Sequence, residues 1–155
     1  MKRVSIALLA LFCFSITGFA ALSSESAKEI AAKAVPASAV FVAIENDSNE
    51  YEVKFNDENG KATYHVDVSK ASASVTEVTT KNIFAVGSNT VSLSEQDAVN
   101  IVKKAYPNAT ITKVKLEKDD GLYEYEVKFV TPSAWGEVEI NPQTGVVLEM
   151  KLQYK

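Results

Sequence analysis

Tyr51-Glu52-Val53-Lys54-Phe55 returns unchanged, 74 positions later, as Tyr125-Glu126-Val127-Lys128-Phe129. In both stretches Tyr, Val and Phe alternate with Glu and Lys. Successive side chains of an extended chain point to opposite faces, so this period of two marks a strand with one buried and one wet face. In the second stretch Tyr123 extends the apolar side and Glu124 the polar side; in the first, Glu50 does the latter. Strands of this kind form antiparallel sheets covered on one side only.

What covers that side lies upstream of each strand. Ala27, Ile30, Ala31, Ala34 and Pro36 recur 71 positions later as Ala98, Ile101, Val102, Ala105 and Pro107. Apolar residues at such spacing share one face of a helix. Ser94 caps the second helix, with Glu95 and Asp97 in its electropositive first turn; Ser23 and Glu25 play those parts in the first. Pro36 and Pro107 end the helices, because proline cannot continue the backbone hydrogen bonding.

Downstream, Val66-Asp67-Val68 corresponds to Val138-Glu139-Ile140 at an offset of 72. Asn59-Gly60 and Asp119-Asp120-Gly121 are turn chemistry. Asn141-Pro142-Gln143-Thr144-Gly145 is the clearest hairpin signal, with glycine at the left-handed position, before a last strand alternating Val146, Leu148, Met150, Leu152 and Tyr154. The expected fold class is α+β: two tandem units, each one helix packed on a three- or four-stranded antiparallel sheet. The expected organisation is a signal peptide over 1–20, a first unit over 22–80, a linker over 81–90 and a second unit over 91–155. A unit this small buries only roughly 60% of its unfolded surface, so the two are expected to pack on each other. Ile83, Phe84 and Val86 are too apolar for a free linker and suggest an added strand or a plug between the units.

Lys2 and Arg3, the apolar run Val4 to Ile16 and Thr17-Gly18-Phe19-Ala20 have the three parts of a secretory signal, with cleavage after Ala20. An uncleaved anchor is the other reading, but the run is shorter than the ~20 residues a spanning helix needs. Phe12 precedes Cys13 where lipid attachment wants a small residue, so Cys13, the chain's one cysteine, leaves with the signal. Without Lys2 and Arg3, 14 basic residues stand against 20 acidic, a net charge of −6. That argues against nucleic acid and against anionic membrane surfaces as partners. The expected location is outside the cytoplasm, in the periplasm or beyond the cell, with no membrane insertion after cleavage.

Ala-x-x-Ile helices ending in proline, a Tyr-Glu-Val strand, and then Glu137-Val138-Glu139-Ile140-Asn141-Pro142-Gln143-Thr144-Gly145-Val146-Val147-Leu148-Glu149 resemble the PepSY domain family. The resemblance covers Val91 to Lys155 closely and Leu22 to Thr80 less so, since Ser69-Lys70-Ala71-Ser72-Ala73-Ser74 lacks the glycine of the family's turn. It implies a fold similar to that of a secreted β-lactamase-inhibiting protein with two repeats. It also implies a role in binding, and restraining, peptidases outside the cytoplasm. It carries no catalytic residues.

The residues themselves offer little chemistry. A zinc-peptidase helix needs His-Glu-x-x-His, and the chain has one histidine, His65. Ser–His–Asp catalysis would also have to use His65, which lies on a polar strand face with Thr63 and Asp67. Acidic residues crowd the turns without the spacing of a calcium loop. No catalytic set, cofactor or metal is expected. Two residues are candidates for binding a partner. Trp135 is either a hydrophobic lid on the sheet edge or an exposed anchor, and Tyr123 is either core or contact surface. The expected function is a non-enzymatic exported binding module that inhibits or modulates a secreted or envelope peptidase. The alternative is a binder of a small molecule or envelope polymer in the groove between the repeats.

Overall fold

The structure is a computed structural model, and it describes residues 21–155; the signal expected over 1–20 lies outside the described residues. Both capped helices form. α1 (Ser24–Ala32) begins at Ser23, whose hydroxyl accepts the Ser26 N–H. α2 (Glu95–Ala105) begins with a reciprocal box, Ser94 accepting from the Asp97 N–H and the Asp97 carboxylate accepting from the Ser94 N–H. Tyr106 leaves helical geometry one residue before Pro107, as the proline ring requires.

The alternating segments become β1 (Val40–Asn46), β2 (Glu50–Asn56), β3 (Ala62–Ser69), β4 (Ser74–Asn82), β5 (Thr110–Asp119), β6 (Leu122–Val130), β7 (Ala134–Ile140) and β8 (Val147–Tyr154). They make one eight-stranded antiparallel sheet in the order β1-β2-β3-β4-β8-β7-β6-β5. Each repeat is a four-stranded meander, and the two meanders join through their last strands. The α+β class holds, but the sheet is more extensive than two separate three- or four-stranded sheets. The repeats meet edge to edge, with Val78 opposite Leu152, Thr79 opposite Lys151 and Thr80 opposite Met150. An unpaired strand edge leaves backbone donors and acceptors open, and each repeat satisfies the other's.

Both helices lie on the same face of this sheet, over two separate cores. Ala27 and Ala31 of α1, fully buried, pack on Val53, Phe55, Val66 and Val68. Ala98 and Val102 of α2 pack on Tyr125, Val127, Phe129, Val138 and Ile140. The repeat extends to single hydrogen bonds: Tyr51 Oη donates to the Leu22 carbonyl at 3.0 Å and Tyr125 Oη to the Leu93 carbonyl at 2.9 Å. Each tyrosine thereby ties its strand to the residue before its helix cap. In the β7–β8 turn Gly145 has φ +72°, the left-handed geometry its position implied. The corresponding turn in the first repeat achieves it without glycine, placing Ala73 at φ +50°.

The segment between the repeats is neither an added strand nor a plug. Ile83, Phe84 and Val86 are exposed, Phe84 by 76%. The chain instead runs along the outside of the second repeat. Ser88 forms an isolated bridge with Tyr123, and Asn141 Nδ2 donates to the Val86 carbonyl at 2.8 Å. The repeats already meet through β4 and β8, which leaves no gap there for a plug.

Candidate functional site

With both helices on one face, the other face of the sheet is open, and every strand sends its charged set there. Glu52 and Lys54 from β2, His65 and Asp67 from β3, Glu77 and Thr79 from β4, Glu149 and Lys151 from β8, Glu137 and Glu139 from β7, and Glu126 and Lys128 from β6 lie side by side in register. Over the first repeat this face forms an open concavity of about 670 Å³ that reaches across the junction to Glu149. Its lining has seven acidic residues (Glu45, Asp47, Glu50, Glu52, Asp67, Glu77 and Glu149) against a single lysine, Lys81.

Charge spacing sets the behaviour of these groups. Burial, then the carboxylates of Glu50, Glu77 and Glu52, push the Asp67 carboxyl up to about 6, with Lys151 opposing. Burial and the neighbouring Glu149, Glu124 and Glu137 raise Glu139 in the same way. Burial would also raise Glu77, but hydrogen bonds from Lys151, Gln153 and Thr79 hold it below the usual range. The Lys151–Glu77 pair, at 2.6 Å, crosses the junction between the repeats.

His65 contacts Glu52, Nδ1 to Oε1 at 2.5 Å. Its partner among the described residues is thus a neighbouring carboxylate on the same sheet face, not a serine hydroxyl. Among the described residues, no group of three or more His, Cys, Asp or Glu side chains is placed to hold a metal ion. Nor is any described helix long and apolar enough to cross a membrane.

Trp135 lies within β7, an interior strand, opposite Val130 and Gln153, and not on a sheet edge. Its side chain is on the helix-free face, 50% exposed, with Lys155 Nζ 4.9 Å above the ring. Tyr123 is half-buried on the helix side of β6, beneath Lys118 at 5.0 Å and against the Ser88 bridge. The fold therefore puts these two aromatics on opposite faces, at opposite ends of β6, and they form no common site. Two apolar surfaces remain exposed. One is Phe84, which the sequence suggests for an added strand or a plug and which is 76% exposed. The other, to which the sequence gives no pointer, is the outer strand β1, where Val40 is 56% and Val42 53% exposed.

The duplicated architecture has a counterpart in a known sequence family. The sequence model of the family described as peptidase propeptide and YPEB domain, PepSY, matches residues 21–79 and 92–151. No curated protein matches the chain. Three solved structures are similar. One is a BLIP-like protein from Bacteroides fragilis NCTC 9343, 14% identical, with 88% of this chain and 91% of that one covered and a TM-score of 0.36. Another is a candidate lipoprotein from Clostridium difficile 630, 18% identical, with 76% and 84% covered and a TM-score of 0.38. The third is a cysteine-rich secretory protein from Staphylococcus aureus subsp. aureus Mu50, 12% identical, with 75% and 40% covered and a TM-score of 0.43. The chain belongs to the PepSY family and carries its domain twice, the two copies fused into one sheet.

Proposed function

We propose that the protein is an exported, non-enzymatic binding module that inhibits or modulates a secreted or envelope peptidase. The observation that carries this reading is a tandem domain of the peptidase-propeptide family whose helix-free face is an open, charged sheet. An inhibitor of this kind works by occupying a cleft, so it needs a rigid presenting surface and no bond-breaking groups. The paired cores under α1 and α2 supply the rigidity, and the face with Trp135 at one end supplies the contact area. A half-exposed tryptophan, flanked by Val130 and Gln153 with Lys155 over its ring, has the character of an interface anchor.

The test is a pull-down from the native cell envelope with the tagged protein, followed by peptidase assays on the captured fraction. A captured peptidase whose activity changes on adding the protein supports the proposal. Recovery of no peptidase, with proteolysis unchanged, overturns it.

A second reading is favoured by the concavity, which lies over the first repeat and takes Glu149 from the second. Seven carboxylates around about 670 Å³ suit a cationic small molecule or an amine-bearing envelope polymer. A ligand bound only by the folded state raises the melting temperature, so a thermal-shift screen of polyamines separates this reading from the first.

A further inference from the structure

The two outer strands of the sheet are the same strand in two copies, and they are protected very differently. Both carry a bulge at the same place, between Phe41 and Ala43 in β1 and between Ile111 and Lys113 in β5. Around that bulge β5 has Thr110, Thr112, Lys113 and Lys115. At the matching positions β1 has Val40, Val42, Ala43 and Glu45. Lysines on an edge strand repel further strands, because an added chain would have to bury their charge. β5 carries that guard. β1 lacks it and exposes Val40 by 56%, Phe41 by 38% and Val42 by 53%. Among the described residues no strand pairs with its outer side, so its outward N–H and C=O groups remain available.

What such an edge accepts is set by the surface beside it. The helix-free face adjoining β1 is the acidic concavity, where Glu45, Glu50, Glu52 and Asp67 outnumber the local cations. A second copy of this chain is a poor occupant. Antiparallel β1–β1 pairing would bring two such acidic faces together on molecules of net charge −6 without their first twenty residues. An extended segment with lysine or arginine at alternate positions has the complementary charge. Its basic side chains would lie over the concavity while its apolar ones faced Phe41.

We propose that β1 is a strand-addition site, which takes an extended, alternately basic segment of a partner protein as a ninth strand. Backbone hydrogen bonds supply the attachment, and the acidic face selects the side chains. This rests on the reading of the protein as a protein-binding module, but not on the partner being a peptidase.

The probe is an end-capped peptide of eight residues alternating lysine and valine, titrated into the 15N-labelled protein, with a glutamate–valine peptide as control. Expected are amide shifts confined to residues 40–46 and the strand beside them, for the lysine peptide only. The triple variant Val40→Thr/Val42→Thr/Ala43→Lys, which copies the guard of β5, weakens binding at least 10-fold with an unchanged melt. Glu45→Lys alone, on an exposed side chain, weakens it several-fold. Shifts on β5 or the helices, equal binding of the glutamate peptide, or binding indifferent to these variants would overturn the proposal. So would a concentration-dependent dimer that the triple variant disperses. Peptide capture at β1 by a protein that affects no peptidase would unseat the proposed function and leave this inference standing. Inhibition of a captured peptidase by a parent protein whose β1 binds no lysine peptide would do the reverse.

Discussion

Gly136→Ala is the most demanding test of the packing in the second core. Gly136 sits directly opposite Phe129 in the β6–β7 pair, and the outer edge of the ring occupies the space a side chain there would need. A Cβ at residue 136 would fall 2.1 Å from Phe129 Cζ and 2.3 Å from Cε1, well inside contact distance. The ring cannot swing away. It is 1% exposed, and Tyr106 stacks against it with ring centroids 4.8 Å apart. Overpacking of a closed core costs about 1–3 kcal/mol, and expelling the ring would forfeit the ~3–5 kcal/mol that truncating a core phenylalanine does. The expected loss is about 3 kcal/mol in urea melts, or a fall in Tm of about 10 °C for a domain of this size. The cause is checked by a double-mutant cycle with Phe129→Leu. In that background Gly136→Ala should cost less than about 1 kcal/mol, a coupling of well over 1 kcal/mol between touching residues. A single Gly136→Ala within about 0.5 kcal/mol of the parent, or a cycle with no coupling, would refute this account of the core.

Other outcomes follow from single residues. Tyr125→Phe and Tyr51→Phe should each cost about 1 kcal/mol, since each removes a buried hydrogen bond to the residue before a helix cap; urea melts check this. Asp67 has a folded-state pKa above its unfolded value, so the native state holds the extra proton and stability falls as pH rises from about 4 to about 6. Asp67→Asn should therefore stabilise the protein by about 1 kcal/mol at pH 7.5, a value already reduced for solvent screening, and by close to nothing at pH 4. Ala73→Gly, which restores glycine at a left-handed position, should raise stability by about 0.5 kcal/mol, whereas Gly145→Ala should lower it by about 1 kcal/mol. Trp135→Ala should leave the urea midpoint nearly unchanged and abolish partner capture, because the ring is half in water.

Much of this architecture is legible in the residues. The Tyr-Glu-Val-Lys-Phe repeat fixes which side of β2 and β6 is buried, and Tyr51, Val53, Phe55, Tyr125, Val127 and Phe129 are all buried as the alternation implies. Ser94 and Asp97 announce the start of α2, and Gly145 its companion turn. How the repeats join is not legible. β4 and β8 pair through backbone groups, and every non-proline residue carries those alike. The face of the site was readable, since the charged half of each alternating strand had to go somewhere wet. Its depth over the first repeat was not, because the concavity arises from how five strands assemble. Trp135 follows Thr131-Pro132-Ser133, whose proline marks the break between strands, and β7 starts one residue before it, at Ala134. β1 was silent for a different reason. Val40-Phe41-Val42-Ala43-Ile44 is a run of five apolar residues with no alternation to show which side is wet, and its exposure is set by its place at the sheet edge.

The measurement that tests the central claim most directly is carboxylate footprinting of the protein alone and bound to the peptidase captured with it. Carbodiimide coupling marks each accessible Asp and Glu, and mass spectrometry reads the sites. Docking through the helix-free face predicts that Glu52, Asp67, Glu77 and Glu149 lose labelling in the complex while Glu29 and Glu95 on the helices label as before. Protection of the helix carboxylates with the sheet face still open would contradict it.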